Sequence, residues 1–278
     1  MSNTDEIDDS SAPLIEHLIE LRTRIMHALI ALFIGFGICF AIAKPIFDIL
    51  SRPICLALAD INQACNLVML APQEGFIVNM RIAMFGGFAI AFPYVGYQLW
   101  RFVAPGLYKA ERKAFLPFLV ASPAMFLLGG SFAYFVVLPL AFRFFLGYQQ
   151  GGSAASEAVE GLAHAGIIYQ GSIDQYLGLT MKFIMAFGLS FQLPVLLTLM
   201  GKAGLITADA LVTTRKYAIV AILVLCALIS PPDVMSLAVM FFSVYPLYEV
   251  AIWIIRRMEK NRPADDEEDE TEDVATDE

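Results

Sequence analysis

Long apolar runs, separated by short polar segments, make up most of the chain. A helix that crosses the hydrocarbon core of a bilayer needs roughly 20 apolar residues. Four runs are suited to this, and a Pro-Pro turn at positions 231–232 joins a shorter fifth run to a sixth as a hairpin. The pattern therefore predicts an all-α, polytopic integral membrane protein with six transmembrane helices. The predicted spans are Met26–Ala43, Phe76–Leu99, Phe115–Leu140, Gln175–Met200, Tyr217–Ile229 and Met235–Ile255.

The fifth predicted span is short for a membrane helix. Its residues, 217–229, would cover only about 20 Å at a rise of 1.5 Å per residue, whereas a bilayer core is roughly 30 Å thick. This shortness predicts local thinning of the bilayer on the side of the Pro-Pro turn. Because the number of spans is even, both termini should lie on the same side of the membrane.

The basic residues indicate which side that is. Thirteen of the 18 lysines and arginines lie in segments on the side of the termini, and five lie on the opposite side or at its span ends. Basic residues are enriched in cytoplasmic segments of membrane proteins. The distribution therefore predicts cytoplasmic termini, with Asp48–Gly75 and Phe142–Asp174 outside. A helix is expected at Ile46–Leu58 in the first external segment.

The polar ends of the chain complete the predicted organisation. Residues 1–24 form a cytoplasmic N-terminal segment in which apolar residues recur at helical spacing, which indicates an amphipathic helix. Residues 25–255 form the six-helix domain. Residues 256–278 form an acidic cytoplasmic tail predicted to be disordered. The net charge of −9 comes from this tail, because ten acids and no base lie between 265 and 278. The remainder is near neutral and shows no basic surface for nucleic acid.

The four cysteines fall into two pairs by environment. Cys39 and Cys226 lie in apolar runs and are expected to pack as small hydrophobic residues. Cys55 and Cys65 lie in the first external segment, where a disulfide can persist if that compartment is oxidising. Spacing alone does not establish the geometry, so a bridged and a free pair both stay open.

The sequence offers little for catalysis. The three histidines lie away from the middles of the spans, and the chain contains neither an H-E-x-x-H zinc motif nor a Gly-rich phosphate loop. No catalytic residue, metal site or cofactor is predicted, and the chain is not expected to be an enzyme. An intramembrane hydrolase would lack a base. A secondary transporter of a small solute is the alternative, although Lys182 and Gln192 are isolated rather than clustered as transport sites are.

Ionisable and polar residues at the membrane are the best functional candidates, because they are costly there unless they are paired. Glu20 precedes the first predicted span, where it either pairs with a nearby arginine or accepts a ligand. Glu111 is the single acid among four bases of a short cytoplasmic loop. Gln192 and Pro194 are expected to break the fourth span. Glu249 is expected to be paired within the bundle or near the cytoplasmic interface.

Several segments closely resemble the signature sequences of the TatC family, the multispanning receptor subunit of the twin-arginine translocase. These segments run from the N-terminus to the sixth span. They are His17–Arg24 (HLIELRTR), Tyr97–Arg112 (YQLWRFVAPGLYKAER), Phe132–Phe135 (FAYF), Phe187–Phe191 (FGLSF) and Pro231–Asp233 (PPD). The resemblance covers nearly the whole chain apart from the acidic tail.

The resemblance implies a receptor that binds signal peptides bearing two consecutive arginines. Such receptors help to carry folded proteins across the membrane, driven by the proton-motive force. Guanidinium groups pair well with carboxylates, and the family pattern places this role on Glu20 and Glu111. Phe102 matches a family residue of the same site. Four further residues would shape or support the site: Leu21, Arg22, Pro105 and Tyr108.

The resemblance also implies roles away from that site. Gln192 stands where some members have glutamate, so a mechanism that needs a fixed charge there is not expected. Gln192, Tyr134 and Glu249 are expected to make polar contacts within the membrane or with partners. Pro53 and Asp233 are expected to be structural on the external side. The implied partners are single-span TatA- and TatB-type subunits, further copies of this chain and membrane lipid, in the bacterial inner membrane.

Overall fold

The computed structural model describes residues 5–103, 116–148, 170–229 and 234–260. Within these ranges the chain is helical apart from turns, short irregular segments and one isolated parallel bridge between Val68 and Ser172, and it contains no β-strand. The helices are α1 (Asp5–Ala41), α2 (Ala43–Asp60), α3 (Glu74–Val103), α4 (Leu116–Phe132), α5 (Leu138–Leu146), α6 (Ile173–Ser190), α7 (Leu193–Lys202), α8 (Ala208–Thr213), α9 (Arg215–Ile229) and α10 (Val234–Lys260), with a π-helical segment at Ala133–Val137 between α4 and α5.

Five of the described helical stretches are long and apolar enough to cross a membrane. They are Leu18–Ala41, Glu74–Leu99, Phe118–Leu146, Ile173–Lys202 and Val234–Lys260. The fifth predicted span is a helix too, but α9 has only 15 residues. Its length is about 22 Å at 1.5 Å per residue. The all-α, polytopic fold class predicted from the sequence is confirmed.

Apolar side chains cover much of the outside of these helices. Phe33 on α1, Val120 on α4 and Phe242 on α10 are each more than 70% exposed. Between 11% and 44% of each candidate span is buried inside the structure. Soluble monomers rarely expose apolar surface on this scale. The exposed faces are therefore suited to contact with lipid.

The N-terminal amphipathic segment continues directly into the first span. Helix α1 runs without interruption from Asp5 to Ala41, so the predicted interfacial helix is its first half and not a separate element. No glycine or proline, the residues that most readily end a helix, occurs between Leu14 and Ile34. The continuous helix fixes the direction of residues near position 20 relative to the first span.

Among the described residues of the first unit, Met1–Leu189, the most extensive contact between helices is that of α1 with α3. Glycine makes this contact possible. A methyl group added to Gly87 of α3 would lie 2.6 Å from the backbone nitrogen of Phe36 on α1. Only glycine permits so close an approach of two helix backbones.

Helix α2 occupies the first predicted external segment and contains Pro53. Proline has no N–H, so the carbonyl four residues earlier loses its usual helix partner. That carbonyl belongs to Ile49, and the Tyr134 hydroxyl donates a hydrogen bond of 2.7 Å to it from the π-helical segment. The Tyr134 hydroxyl therefore replaces the backbone donor that Pro53 lacks.

A disulfide and a set of hydrogen bonds restrain the segment after α2. Cys55 and Cys65 form a disulfide with their Cα atoms 5.0 Å apart. Further on, the carboxylate of buried Glu74 accepts hydrogen bonds from the Ser172 hydroxyl at 2.7 Å and from the Asp174 backbone N–H at 2.9 Å. Glu74 also accepts from the backbone N–H groups of residues 70 and 71. These contacts join the two predicted external segments where α3 and α6 begin.

The second unit, Ser190–Glu278, begins where the helix of the fourth span is interrupted. Helix α6 ends at Ser190, and α7 begins at Leu193 with Pro194 in its first turn. The predicted break at Gln192 and Pro194 is therefore confirmed. Residues 256–260, predicted as the start of the disordered tail, are instead helical, because α10 continues to Lys260. Asp233 and the rest of the tail, residues 261–278, lie outside the described residues.

Helices within the second unit are joined by polar contacts. The short helix α8 is capped by Thr207, whose hydroxyl accepts from the Ala210 N–H at 3.2 Å. Its first N–H, on Ala208, donates to Glu259 of α10 at 2.9 Å. The Tyr248 hydroxyl of α10 donates to the Leu211 carbonyl at 2.7 Å. These bonds hold α8 against the C-terminal half of α10.

Candidate functional site

A polar cluster forms where α1 leaves its amphipathic first half and α3 approaches its C-terminal end. Arg24 of α1 donates from Nη1 to Oε1 of Gln98 on α3 over 3.3 Å. Gln98 is only 5% exposed. A buried amide needs a partner to offset the loss of its water contacts, and Arg24 supplies one. The two helices are therefore connected by a side-chain contact at this end.

The same guanidinium also holds Glu20. Nη2 of Arg24 lies 2.7 Å from Oε1 of Glu20, and the two side chains are 17% and 33% exposed. Since the residues are four apart on a continuous helix, their side chains lie on one face. Nε of Arg24 is buried and has no hydrogen-bond partner among the described residues. We define Glu20, Arg24 and Gln98 as the carboxylate cluster.

The cluster can present an oriented negative group beside buried apolar structure. Glu20 is the acidic member, and the oxygens of a carboxylate accept hydrogen bonds without donating any. Acceptors of this kind bind the N–H groups of arginine with short, directional bonds. The arrangement therefore suits recognition of a cationic ligand by binding, and it offers no nucleophile activated by a base.

The structure places some of the predicted site residues and leaves others outside its described part. Leu21 is half-buried and Arg22 is exposed, and both lie on α1 between Glu20 and Arg24. The backbone of Phe102 lies in the last turn of α3, but its side chain is outside the described part. Three further residues, Pro105, Tyr108 and Glu111, lie outside the described residues altogether. Their part in a site with Glu20 stays a prediction.

The other predicted polar residues make contacts of their own. Glu249 of α10 is paired, as predicted: it accepts from Arg215 of α9 at 2.7 Å and from the Tyr245 hydroxyl at 2.7 Å. Gln192 caps α7, and its backbone carbonyl accepts from the Leu196 N–H at 2.8 Å. Tyr134 donates to the Ile49 carbonyl, as described above. None of these contacts involves the carboxylate cluster.

The sequence indicates the cluster only in part. A nearby arginine was one expected partner of Glu20, and Arg24 fits the pairing pattern of a glutamate and an arginine four apart on a helix. Gln98 was missed. It gave no local signal, because its partner is 74 residues away along the chain. Only the packing of α1 on α3 brings the two side chains together.

Comparison with known proteins identifies the family. The family model described as Sec-independent protein translocase protein (TatC) matches residues 16–242. The chain belongs to the TatC family. The matched region contains every member of the carboxylate cluster, and the resemblance inferred from the sequence motifs is confirmed.

Individual TatC proteins are similar over nearly their whole length. The Sec-independent protein translocase protein TatC of Magnetococcus marinus is 39% identical over 254 residues, covering 91% of this chain and 88% of that protein. The TatC protein of Aquifex aeolicus is 40% identical over 242 residues, covering 87% and 94%. A crystal structure of the twin-arginine translocase receptor TatC superposes with a TM-score of 0.72 at 39% identity, covering 86% of this chain and 98% of that one.

Proposed function

We propose that this TatC-family chain is the receptor and core subunit of a twin-arginine translocase in the bacterial inner membrane. It binds the paired-arginine signal peptide of folded precursor proteins on the cytoplasmic side. It then supports their transport across the membrane, driven by the proton-motive force. Both termini are cytoplasmic, as the distribution of basic residues favours.

The observation that carries the proposal is the position of Glu20. It lies in the first turn of the candidate span Leu18–Ala41. Its carboxylate is held by Arg24 and stays one-third exposed. A signal peptide arriving from the cytoplasm meets this end of the span first. Two arginines require acceptors of negative charge, and carboxylates supply directional, charge-assisted hydrogen bonds to them.

Glu111 supplies the second carboxylate in this proposal. It lies in the segment that follows α3, whose last residue is Val103. The hydrogen bond between Arg24 and Gln98 holds the C-terminal part of α3 against α1 at the cluster, and Glu111 follows α3 along the chain. The remaining residues of the proposed peptide site, which line or support it, are Phe102, Leu21, Arg22, Pro105 and Tyr108.

The proposed partners bind elsewhere on the molecule. TatA- and TatB-type single-span subunits and further copies of this chain pack on the apolar faces of the spans, which lipid covers when no partner is bound. Polar groups near these faces, Gln192, Tyr134 and Glu249, add hydrogen bonds to such contacts. Asp233 stabilises the external turn between the last two helices. The chain acts by binding and needs no cofactor for this role.

Binding of a labelled twin-arginine signal peptide to the purified full chain in nanodiscs tests the proposal. We expect Glu20→Gln and Glu111→Gln each to weaken binding by at least about tenfold, because each removes one charge-assisted pair. Asp48→Asn, at an exposed position of α2, is the matched control and should bind normally. A peptide with both arginines changed to lysine should bind weakly to every variant. Unchanged binding by the Glu20→Gln, Glu111→Gln double variant would overturn the site.

A further inference from the structure

The buried side chain of Gln98 on α3 is connected to Glu20 on α1 through Arg24. It is 5% exposed, and its amide oxygen accepts from Nη1 of Arg24. Nη2 of the same guanidinium donates to Glu20 at 2.7 Å. The planar guanidinium therefore connects a residue of α3 rigidly to a carboxylate of α1.

We propose that Gln98 is a positioning residue for Glu20, the carboxylate of this chain that binds the signal peptide, and that it acts on Glu20 through Arg24. The inference rests on the proposed function, because it assigns a role at the same site. Arg24 is a long side chain with many rotamers, and one contact with Glu20 alone would leave it mobile. The second contact, from a buried residue on another helix, restricts the guanidinium to one position and orients the Glu20 carboxylate.

Charge makes Gln98 a better residue for this role than an acid would be. Arg24 already offsets the charge of Glu20, so a further carboxylate at position 98 would compete for the guanidinium. A neutral amide oxygen holds Arg24 with a weaker bond than a charged acceptor would. Arg24 can then keep its stronger contact with Glu20. Binding sites need such support, because a loosely held group loses affinity even when it is present.

The orientation effect can be separated from the effect of charge. Replacing Arg24 changes both the support of Glu20 and the net charge that a dicationic peptide meets. Gln98→Met removes the acceptor from an unbranched side chain of similar length and changes no charge. A loss of affinity in Gln98→Met therefore reports positioning, and long-range electrostatics stay the same.

The experiment is a double-mutant cycle on the full chain in nanodiscs, read out by the dissociation constant of a labelled twin-arginine signal peptide. We expect Gln98→Met to weaken binding by about threefold to tenfold, the range that one hydrogen bond is worth. In an Arg24→Gln background the same change should have no further effect. Leu99→Ala, at the exposed neighbouring position, is the matched control and should bind normally.

Two further variants test whether the hydrogen-bond acceptor at position 98, rather than the shape of the side chain, determines the affinity. Gln98→Leu repeats the loss of the acceptor with a different shape, in case Gln98→Met does not fold. Gln98→His restores a neutral acceptor and should recover part of the affinity, which a purely structural role of the position would not predict. Thermal unfolding of each variant establishes that the folded chain is being compared.

The outcomes distinguish this inference from the proposed function. If Glu20→Gln weakens binding but Gln98→Met does not, Gln98 does not position Glu20 and the inference is wrong. If Gln98→Met and Arg24→Gln weaken binding additively, Gln98 acts by another route and the inference is also wrong. If Glu20→Gln itself binds normally, the proposed site is wrong, and the role of Gln98 is overturned with it.

Discussion

Gly35 of α1 and Gly87 of α3 bring two helix backbones into direct contact: a methyl group added to Gly35 would lie 2.8 Å from the Gly87 carbonyl oxygen. Arg24 lies eleven residues before Gly35, and Gln98 lies eleven residues after Gly87. Because the helices are antiparallel, equal steps of about 16 Å along each lead from the glycines to the Arg24–Gln98 hydrogen bond. The glycine contact therefore sets the register that assembles the carboxylate cluster.

Substitution of Gly87 should disturb both packing and the cluster. In Gly87→Ala the new methyl group meets the backbone of Phe36, which cannot move aside as a flexible side chain can. We expect a loss of about 1–3 kcal/mol, the range of overpacked sites, together with weaker signal-peptide binding. Thermal unfolding in detergent and the peptide assay measure the two effects.

Gly37 supplies the matched control for this prediction. It lies on α1, the helix that Gly87 contacts, and nothing stands within 4 Å of a methyl group added there. Gly37→Ala should be neutral or more stable by up to about 1 kcal/mol, because alanine favours helix. Equal destabilisation by Gly87→Ala and Gly37→Ala would contradict the role given to the close contact.

The Tyr134 hydroxyl compensates for the donor that Pro53 lacks. Tyr134→Phe should destabilise the chain by about 1 kcal/mol, because the Ile49 carbonyl loses its hydrogen bond. In a Pro53→Ala background the new backbone N–H can donate to the same carbonyl. The cost of Tyr134→Phe should then be smaller, as measured by thermal unfolding of the four chains of the cycle. The same cost in both backgrounds would show that Tyr134 stabilises the chain in another way.

Replacing only Glu249 of the Arg215–Glu249 ion pair should lower the free energy of unfolding more than replacing both residues. Glu249→Leu leaves the Arg215 guanidinium without its carboxylate near the membrane, and unpaired charges are costly there. The Arg215→Leu, Glu249→Leu double variant removes both charges and should recover much of the lost stability. Thermal unfolding and the yield of folded protein in detergent check this. A double variant less stable than Glu249→Leu would contradict the pairing.

The disulfide predicts how many cysteines react. When the chain is denatured without reductant, a thiol reagent should label only Cys39 and Cys226, which are free. After reduction, all four cysteines should be labelled, and mass spectrometry counts the labels. A Cys55→Ser, Cys65→Ser variant should be less stable by about 2–3 kcal/mol, because the unfolded chain is no longer constrained by the ten-residue loop. Four labels without reductant would contradict the bridge.

Some polar features of the protein could be predicted from the sequence, and others could not. The sequence indicates Glu20 as a candidate because an acidic residue at the edge of a membrane span is energetically costly unless it is paired or binds a ligand. The break at Gln192 and Pro194 was predicted because proline removes a helix hydrogen bond. The sequence could not pair Tyr134 with Ile49, or Glu74 with Ser172, because these contacts join residues 85 and 98 positions apart.

The sequence by itself determined the helical, membrane-spanning character of this protein and its family. Apolar runs of sufficient length require helices in a bilayer, because every backbone polar group there must be paired within its own segment. Tertiary structure alone decided which polar side chains of different helices meet. The approach of α1 and α3 at Gly35 and Gly87 depends on the shape of both helices together, and it is this approach that places Gln98 against Arg24 and fixes Glu20.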